Sequence, residues 1–275
     1  MVTRVSYKTM RKLKNALFVS VLSVMTSLAV LPLLSLLWSI GFHGIAALIS
    51  LSDAPLSRGV ASAVLVNAFA QSLVTTASSS AIAVFLGVAA AIYSSQYAGL
   101  RVGRAIRFTV DILSGVPSIL AGMVLFALLS GVSSLVAGVL ALVLCMLPVV
   151  VRTADQVLVA VPVAYIEGSL ALGASRIQTI FATVLPIAHK SLVTALLFVV
   201  ARMAGEAAPL LIILDGGTAS KGSLGFQPLP LRLYSDLTHG GSFPHQIAYV
   251  EALILLVTIM TIYGLARWVG RPDRW

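Results

Sequence analysis

Long stretches without charge set the outline of the chain. No Lys, Arg, Asp or Glu occurs from Asn15 to Ser52, from Gly59 to Leu100, or from Ile112 to Val151. A bilayer-spanning helix needs about 20 mostly apolar residues, so each run holds one span or two. The first predicts a helix over about Ala16–Ile40, with Pro32 inside it and Gly41, His43 and Gly44 at its end. The second predicts a helix over about Ala68–Tyr93. The third is long enough for two spans, and Ser130-Gly131-Val132-Ser133-Ser134 is the only turn chemistry inside it, which predicts a tight helical hairpin. A fifth span is expected over about Ser191–Leu214 and a sixth over about Ile247–Ala266. The pattern is therefore all-α and polytopic. It divides into a basic tail (1–15), a six-helix membrane domain (16–270) and a short tail (271–275). Two connections are long, at about 152–190 and about 215–246.

Composition supports this class. The 275 residues are 59% hydrophobic and only 10% charged, with a mean hydropathy of +1.04, whereas ordinary soluble domains carry about 25% charged residues. Too few polar residues remain for a water-covered surface or for disorder. The first span has the basic flank of a signal peptide, but its apolar part far exceeds the 7–15 residues of one, and it is expected to be retained. The lone Cys145 excludes a disulfide framework.

The eighteen Lys and Arg are distributed unevenly. Arg4, Lys8, Arg11, Lys12, Lys14, Arg101, Arg104, Arg107, Arg152, Arg176, Lys190, Arg267, Arg271 and Arg274 fall on one side of the six-span layout. Only Arg58, Lys221 and Arg232 fall on the other, and Arg202 lies within a span. This asymmetry places both termini in the cytoplasm of a cell (plasma or inner) membrane. It reads as topology plus attraction to anionic membrane lipids, with no nucleic-acid footprint. The four His are scattered without ligand spacing, so no metal site is expected, and no phosphate-binding Gly-x-x-x-x-Gly-Lys-Ser/Thr loop is present. The chain itself is not expected to be an enzyme or to hold a cofactor.

Several residues stand out within the apolar background. Arg202 and Glu206 lie inside the fifth span, where charge costs roughly 2.5–3.5 kcal/mol and marks function or pairing. Their i, i+4 spacing puts them on one helix face, and Pro209, close behind, predicts a local helix break or possible gate that leaves carbonyls open to a cavity. They predict either a polar site on an anion pathway, Glu206 holding Arg202 in place, or a self-neutralising packing pair. Gln71, Thr75, Thr76, Ser78, Ser79 and Ser80 predict close helix packing in the second span, with a hydrophilic route as the alternative. Ser114, Gly115 and Pro117 predict a helix start or break, a possible gate. Glu251 reads as interfacial. The segment 152–190 is too long for a simple connection and is helical in pattern, with small residues at Gly168, Ser169, Ala171 and Ala174, a break at Gly173 and a stop at Pro186.

The spacing in that segment resembles the EAA loop of ABC-transporter permeases: Glu, two small residues, three more, Gly, nine more, an aliphatic residue, any residue, then Leu-Pro. Glu167, Gly173, Leu185 and Pro186 match it. Gly168 and Ser169 stand where two Ala are usual, and Thr183 replaces the aliphatic residue. Within that family the chain is most similar to phosphate permeases of the PstA type. The likeness rests on Leu113-Ser-Gly-Val-Pro-Ser118, on Leu147-Pro148 with Val151-Arg152-Thr153, and on Ala201-Arg-Met-Ala-Gly-Glu-Ala-Ala-Pro-Leu-Leu211. The resemblance implies the ABC type I (MetI-like) permease fold. It also implies a PstC-like second permease, two PstB-like ATPase subunits that bind ATP and Mg, and a PstS-like extracytoplasmic phosphate-binding protein. It gives Glu167, Gly168, Ser169, Ala171, Gly173, Ala174, Leu185 and Pro186 to ATPase coupling, and Arg202 and Glu206 to the translocation path. A permease for molybdate or sulfate, or less fittingly a secondary anion carrier, is the alternative.

Overall fold

The computed structural model describes residues 2–52, 55–97, 101–129, 134–215, 226–239 and 242–271. The turn expected at 130–134 falls almost wholly outside them, as do Lys221, Arg274 and the middle of the 215–246 connection. Every regular element among the described residues is helical. In order they are α1 (Val2–Ser52), α2 (Pro55–Gln96), α3 (Arg101–Ser114), α4 (Ser118–Leu128), α5 (Ser134–Val159), α6 (Val163–Ala171), α7 (Arg176–Thr179), α8 (Leu185–Met203), α9 (Ala208–Asp215), α10 (Leu229–His239) and α11 (Ser242–Val269).

Among the described residues, five stretches are long and apolar enough to cross a bilayer: Met10–Leu51, Ser62–Gln96, Leu135–Val159, Arg176–Met203 and His245–Val269. The expected third span differs from the others. Helices α3 and α4 meet at a bend of 101°, so the apolar run from Ile112 is divided between them. Pro117 disfavours helix at the residue before it, and Gly115 turns the chain with its N–H donating to the carbonyl of Ile112 at 3.0 Å. The break expected at Ser114, Gly115 and Pro117 is present, but it is a sharp corner. Only the 11 residues of α4 continue inward, about 16 Å of helix, half a hydrocarbon core. A sixth span exists only if the bent pair is counted as one.

Helix α5 is the hub. Its Met146 and Val150 pack with Ala83 of α2 and Val199 of α8, while Ala154 and Leu158 pack with Ala91, Val110 and Val184. Farther along, Ala137 and Ala141 meet Leu210 of α9 and Leu231 of α10. Helix α1 is peripheral. Its described side chains are exposed from Met10 to Leu37, and only its last turns, at Ala47 and Leu51, join a core with Leu65, Ile247 and Val250. A helix apolar on all sides with no protein against it needs lipid or another subunit around it.

The hydroxyl-rich part of α2 serves packing. Thr75 and Ser79 are buried, and the Thr75 hydroxyl donates to the Gln71 carbonyl at 2.6 Å. Gln71 and Ser72 do something more specific. The Gln71 side-chain oxygen accepts from the Gln227 N–H, and the Ser72 hydroxyl oxygen accepts from the Leu229 N–H at 2.6 Å. Side chains of α2 thus satisfy donors at the start of α10 that have no partner within that helix.

Two expectations about the fifth span change. Pro186 does not end a separate piece, because the helix runs unbroken from Arg176 to Met203. It widens into a π-turn over Ile180–Val184, where the Leu185 N–H reaches back to the Ile180 carbonyl. That one-residue widening precedes a proline that has no N–H and whose ring would clash with a regular helix carbonyl. At its far end the span breaks: α8 stops at Met203, residues 204–207 are turn or irregular, and α9 starts at Ala208 with Pro209 in its first turn.

Candidate functional site

The break after α8 opens onto a cavity of about 540 Å³ between α3–α4, α5 and α8. Ser114, Ser118, Cys145, Pro148, Arg202 and Glu206 are on its wall. Both intramembrane charges therefore face one space, as the anion-pathway reading requires. Their pairing is different from the expectation. The ion pairs within 4 Å among the described residues do not include Arg202–Glu206, because the helix that would have set them four apart ends at Met203. Glu206 instead accepts a hydrogen bond from the Ser118 hydroxyl at 2.9 Å. Ser118 is the first residue of α4, so the carboxylate sits at a positive helix end. Arg202 occupies the last turn of α8, where a cation is favoured, and its side chain is exposed.

A close backbone contact holds this corner. A Cβ on Gly122 of α4 would lie 2.6 Å from the Pro209 carbonyl oxygen and 2.9 Å from its Cα. Only glycine lets α4 approach the start of α9 this closely. Pro209 is buried in that contact and is not on the cavity wall. Gly122 does not stand out in the sequence, and Ser118 stands there only as the last residue of the Leu113–Ser118 stretch, with nothing to tie it to Glu206. The small-residue pattern in Ser118-Ile-Leu-Ala-Gly122 was the available signal, but it could not name the partner.

The expected coupling segment forms an exposed knuckle. Helix α6 carries Glu167, Gly168, Ser169 and Ala171, with Glu167, Gly168 and Ala171 exposed. No atom lies within 4 Å of a Cβ placed on Gly168. Gly173 has φ +89°, a left-handed conformation that only glycine adopts without strain. Ala174 follows, and Ser175 starts α7 with a capping box to Gln178. The knuckle is bolted to the long helix: the Ser169 and Thr179 hydroxyls are 3.0 Å apart, and Arg176 donates to the Gln96 carbonyl at 3.3 Å and lies over the Tyr97 ring. Leu185 and Pro186 are placed in the first turn of α8, beyond the knuckle. Nearby, Asp155 accepts from Ser94 at 2.8 Å and from Arg107 at 3.1 Å, fixing α5 to α2 and α3.

Glu251 corrects another expectation. It is fully buried, with Oε1 accepting from Arg232 Nε at 2.8 Å, while Asp236 lies 3.6 Å from the same nitrogen. One guanidinium thus serves two carboxylates where α10 packs on α11. Burial raises the Asp236 carboxyl above its ordinary value, and Arg232 opposes that shift. The i, i+4 spacing of Arg232 and Asp236 was visible in the sequence, but nothing there tied them to Glu251.

Comparison with known proteins bears on this geometry. Residues 83–272 match the family described as binding-protein-dependent transport system inner membrane component. The chain is 34% identical over 279 residues to a Mycobacterium tuberculosis protein named phosphate transport system permease protein PstA 1, covering 96% of this chain and 92% of the relative. It is 28% identical to a Methanocaldococcus jannaschii protein named probable phosphate transport system permease protein PstA, covering 98% of both. Among solved structures, an inward-facing MetNI methionine ABC transporter chain superposes with a TM-score of 0.64 at 18% identity, covering 76% of this chain and 97% of that one. A chain of an amino acid ABC transporter superposes with a TM-score of 0.62 at 19% identity, covering 78% of this chain and 97% of its own.

Proposed function

Because the chain belongs to the family of binding-protein-dependent transport system inner membrane components, we propose that it is the membrane-spanning permease subunit of an ATP-driven importer of inorganic phosphate. The relatives named for phosphate transport, alike over nearly the whole chain, support the substrate. ATP and Mg belong to two PstB-like subunits, a PstC-like permease completes the translocation path, and a PstS-like binding protein delivers phosphate from outside. Both termini lie in the cytoplasm, in keeping with the Lys and Arg asymmetry.

One observation carries the mechanism: the coupling knuckle and the intramembrane Arg are joined by one helix. Arg176–Met203 is 28 residues of continuous helix, about 42 Å of rod. At its base, Thr179 is tied to Ser169 of α6; at its tip, Arg202 faces the cavity. When the ATPase subunits close on ATP they move α6, with Glu167, Gly168, Ser169 and Ala171 as the contact face and Gly173 as the fixed bend behind it. The rod tilts and carries Arg202 relative to Ser118 and Glu206, which are held by α4. Nucleotide shifts the balance of outward- and inward-facing states only by binding one of them better. Arg202 supplies the positive charge that makes a dry path acceptable to an anion. The bend at Ser114, Gly115 and Pro117 borders the same cavity and is where α4 can pivot.

Purification from the native membrane tests this directly. The expected result is an attached ATPase subunit whose hydrolysis rises with phosphate-loaded binding protein and is indifferent to sulfate or molybdate. Replacement of Arg202 by Gln leaves assembly intact and lowers uptake by about tenfold or more, the value of a charge-assisted hydrogen bond. Phosphate movement driven by an ion gradient, with no ATPase attached, would overturn the reading.

A further inference from the structure

We infer that Glu206 makes this permease selective for an oxyanion that still carries a proton. The inference rests on the phosphate-import reading and names how the cavity would tell phosphate from sulfate. Arg202 and Glu206 share one cavity and are not paired with each other. Glu206 Oε1 is occupied by the Ser118 hydroxyl at 2.9 Å, which aims the carboxylate and leaves Oε2 as an acceptor. A guanidinium offers only donors, and an ionised carboxylate only accepts. An anion that satisfies both must present bare oxygens to Arg202 and an O–H to Glu206. Inorganic phosphate near neutral pH retains at least one P–OH, whereas sulfate has none and would set a bare oxygen against the carboxylate. Sites built to pair with a hydroxyl reject analogues that lack it far more strongly than apolar pockets reject a missing methylene. Ser118 is the positioning residue, and its place at the corner between α3 and α4 makes the selectivity sensitive to the bend.

The test uses the assembled membrane complex without the binding protein, so that selectivity at the permease is read alone. The complex is held in one state by ATP and a partner ATPase unable to hydrolyse it. Equilibrium dialysis then compares [32P]phosphate with [35S]sulfate for the wild type, Glu206→Gln and Ser118→Ala. The wild type is expected to retain phosphate over sulfate by about ten- to a hundredfold, the range for one hydrogen bond to a charged group. Glu206→Gln, whose amide can donate as well as accept, gains sulfate binding and brings the phosphate-to-sulfate ratio near unity. Ser118→Ala falls between. An unchanged ratio in Glu206→Gln, a wild type without preference, or retention of neither anion overturns the proposal. Uptake by the same preparation with active ATPase and binding protein is scored separately. Normal phosphate uptake alongside a failed dialysis result removes the role of Glu206 and leaves import standing, whereas no uptake despite ATP hydrolysis removes the import reading itself.

Discussion

Replacing Gly122 by Ala adds one methyl group at the tightest backbone contact beside the cavity. The new Cβ would sit 2.6 Å from the Pro209 carbonyl oxygen and 2.9 Å from its Cα. Both atoms belong to backbone, so no rotamer change relieves the clash. Reaching an ordinary separation of about 3.5 Å requires α4 to retreat by about 0.9 Å. Ser118 lies one turn earlier on α4, and its 2.9 Å bond to Glu206 would stretch beyond hydrogen-bond length if the helix moves as a body. Overpacking of this kind costs about 1–3 kcal/mol, and misplacing a functional group by about 1 Å can cost a hundredfold in rate. Thermal unfolding of the purified complex is therefore expected to shift only modestly, while phosphate uptake in proteoliposomes falls much further. Adding Ser118→Ala to Gly122→Ala should cost little more than Gly122→Ala alone, because both act on the same bond. Uptake by Gly122→Ala equal to wild type would refute the claim that α4 positions Glu206 through this contact, and so would full additivity of the pair.

Gly168→Ala fills open space on the exposed α6 and is expected to stabilise that helix by about 0.5–1 kcal/mol without loss of uptake, measured by unfolding and transport of the same sample. Gly173→Val places a branched side chain at φ +89°, with a strain of about 1–2 kcal/mol; phosphate moved per ATP hydrolysed is expected to fall, and an unchanged ratio would count against the bend behind α6. Arg232→Met leaves the buried Glu251 and the half-buried Asp236 without their shared cation, and a loss of about 3–5 kcal/mol is expected in unfolding of the complex; adding Glu251→Gln should recover part of it. The pH response of the α10–α11 contact follows from Asp236, whose carboxyl is raised by burial. The folded state then holds its proton to higher pH than the unfolded one, so stability is full at acid pH and declines as pH rises through the raised value. Protection of the α10 amides, taken relative to their pH-dependent intrinsic exchange rates, should fall over that window in the wild type and fall less in Asp236→Asn.

Much of the architecture was legible in the order of residues. Uncharged runs located the spans because a hydrocarbon layer admits little else. Gly173 and the Ser114–Pro117 corner were legible because each is a local backbone event, decided by a missing Cβ or a missing N–H. The facing of side chains within the membrane was not. In a soluble helix a polar face reports what is outside, but here lipid-facing and core-facing positions are both apolar, so α1 and α5 look alike although one is bare and the other is the hub. Only the tertiary structure decided that the helix breaks between Arg202 and Glu206, that Ser118 from a remote segment takes the carboxylate, and that Glu251 is buried on Arg232 instead of resting at an interface. Each of these depends on a partner 19 or 88 residues away or on a break that voids the helical spacing, and i, i+4 arithmetic carries no information across either.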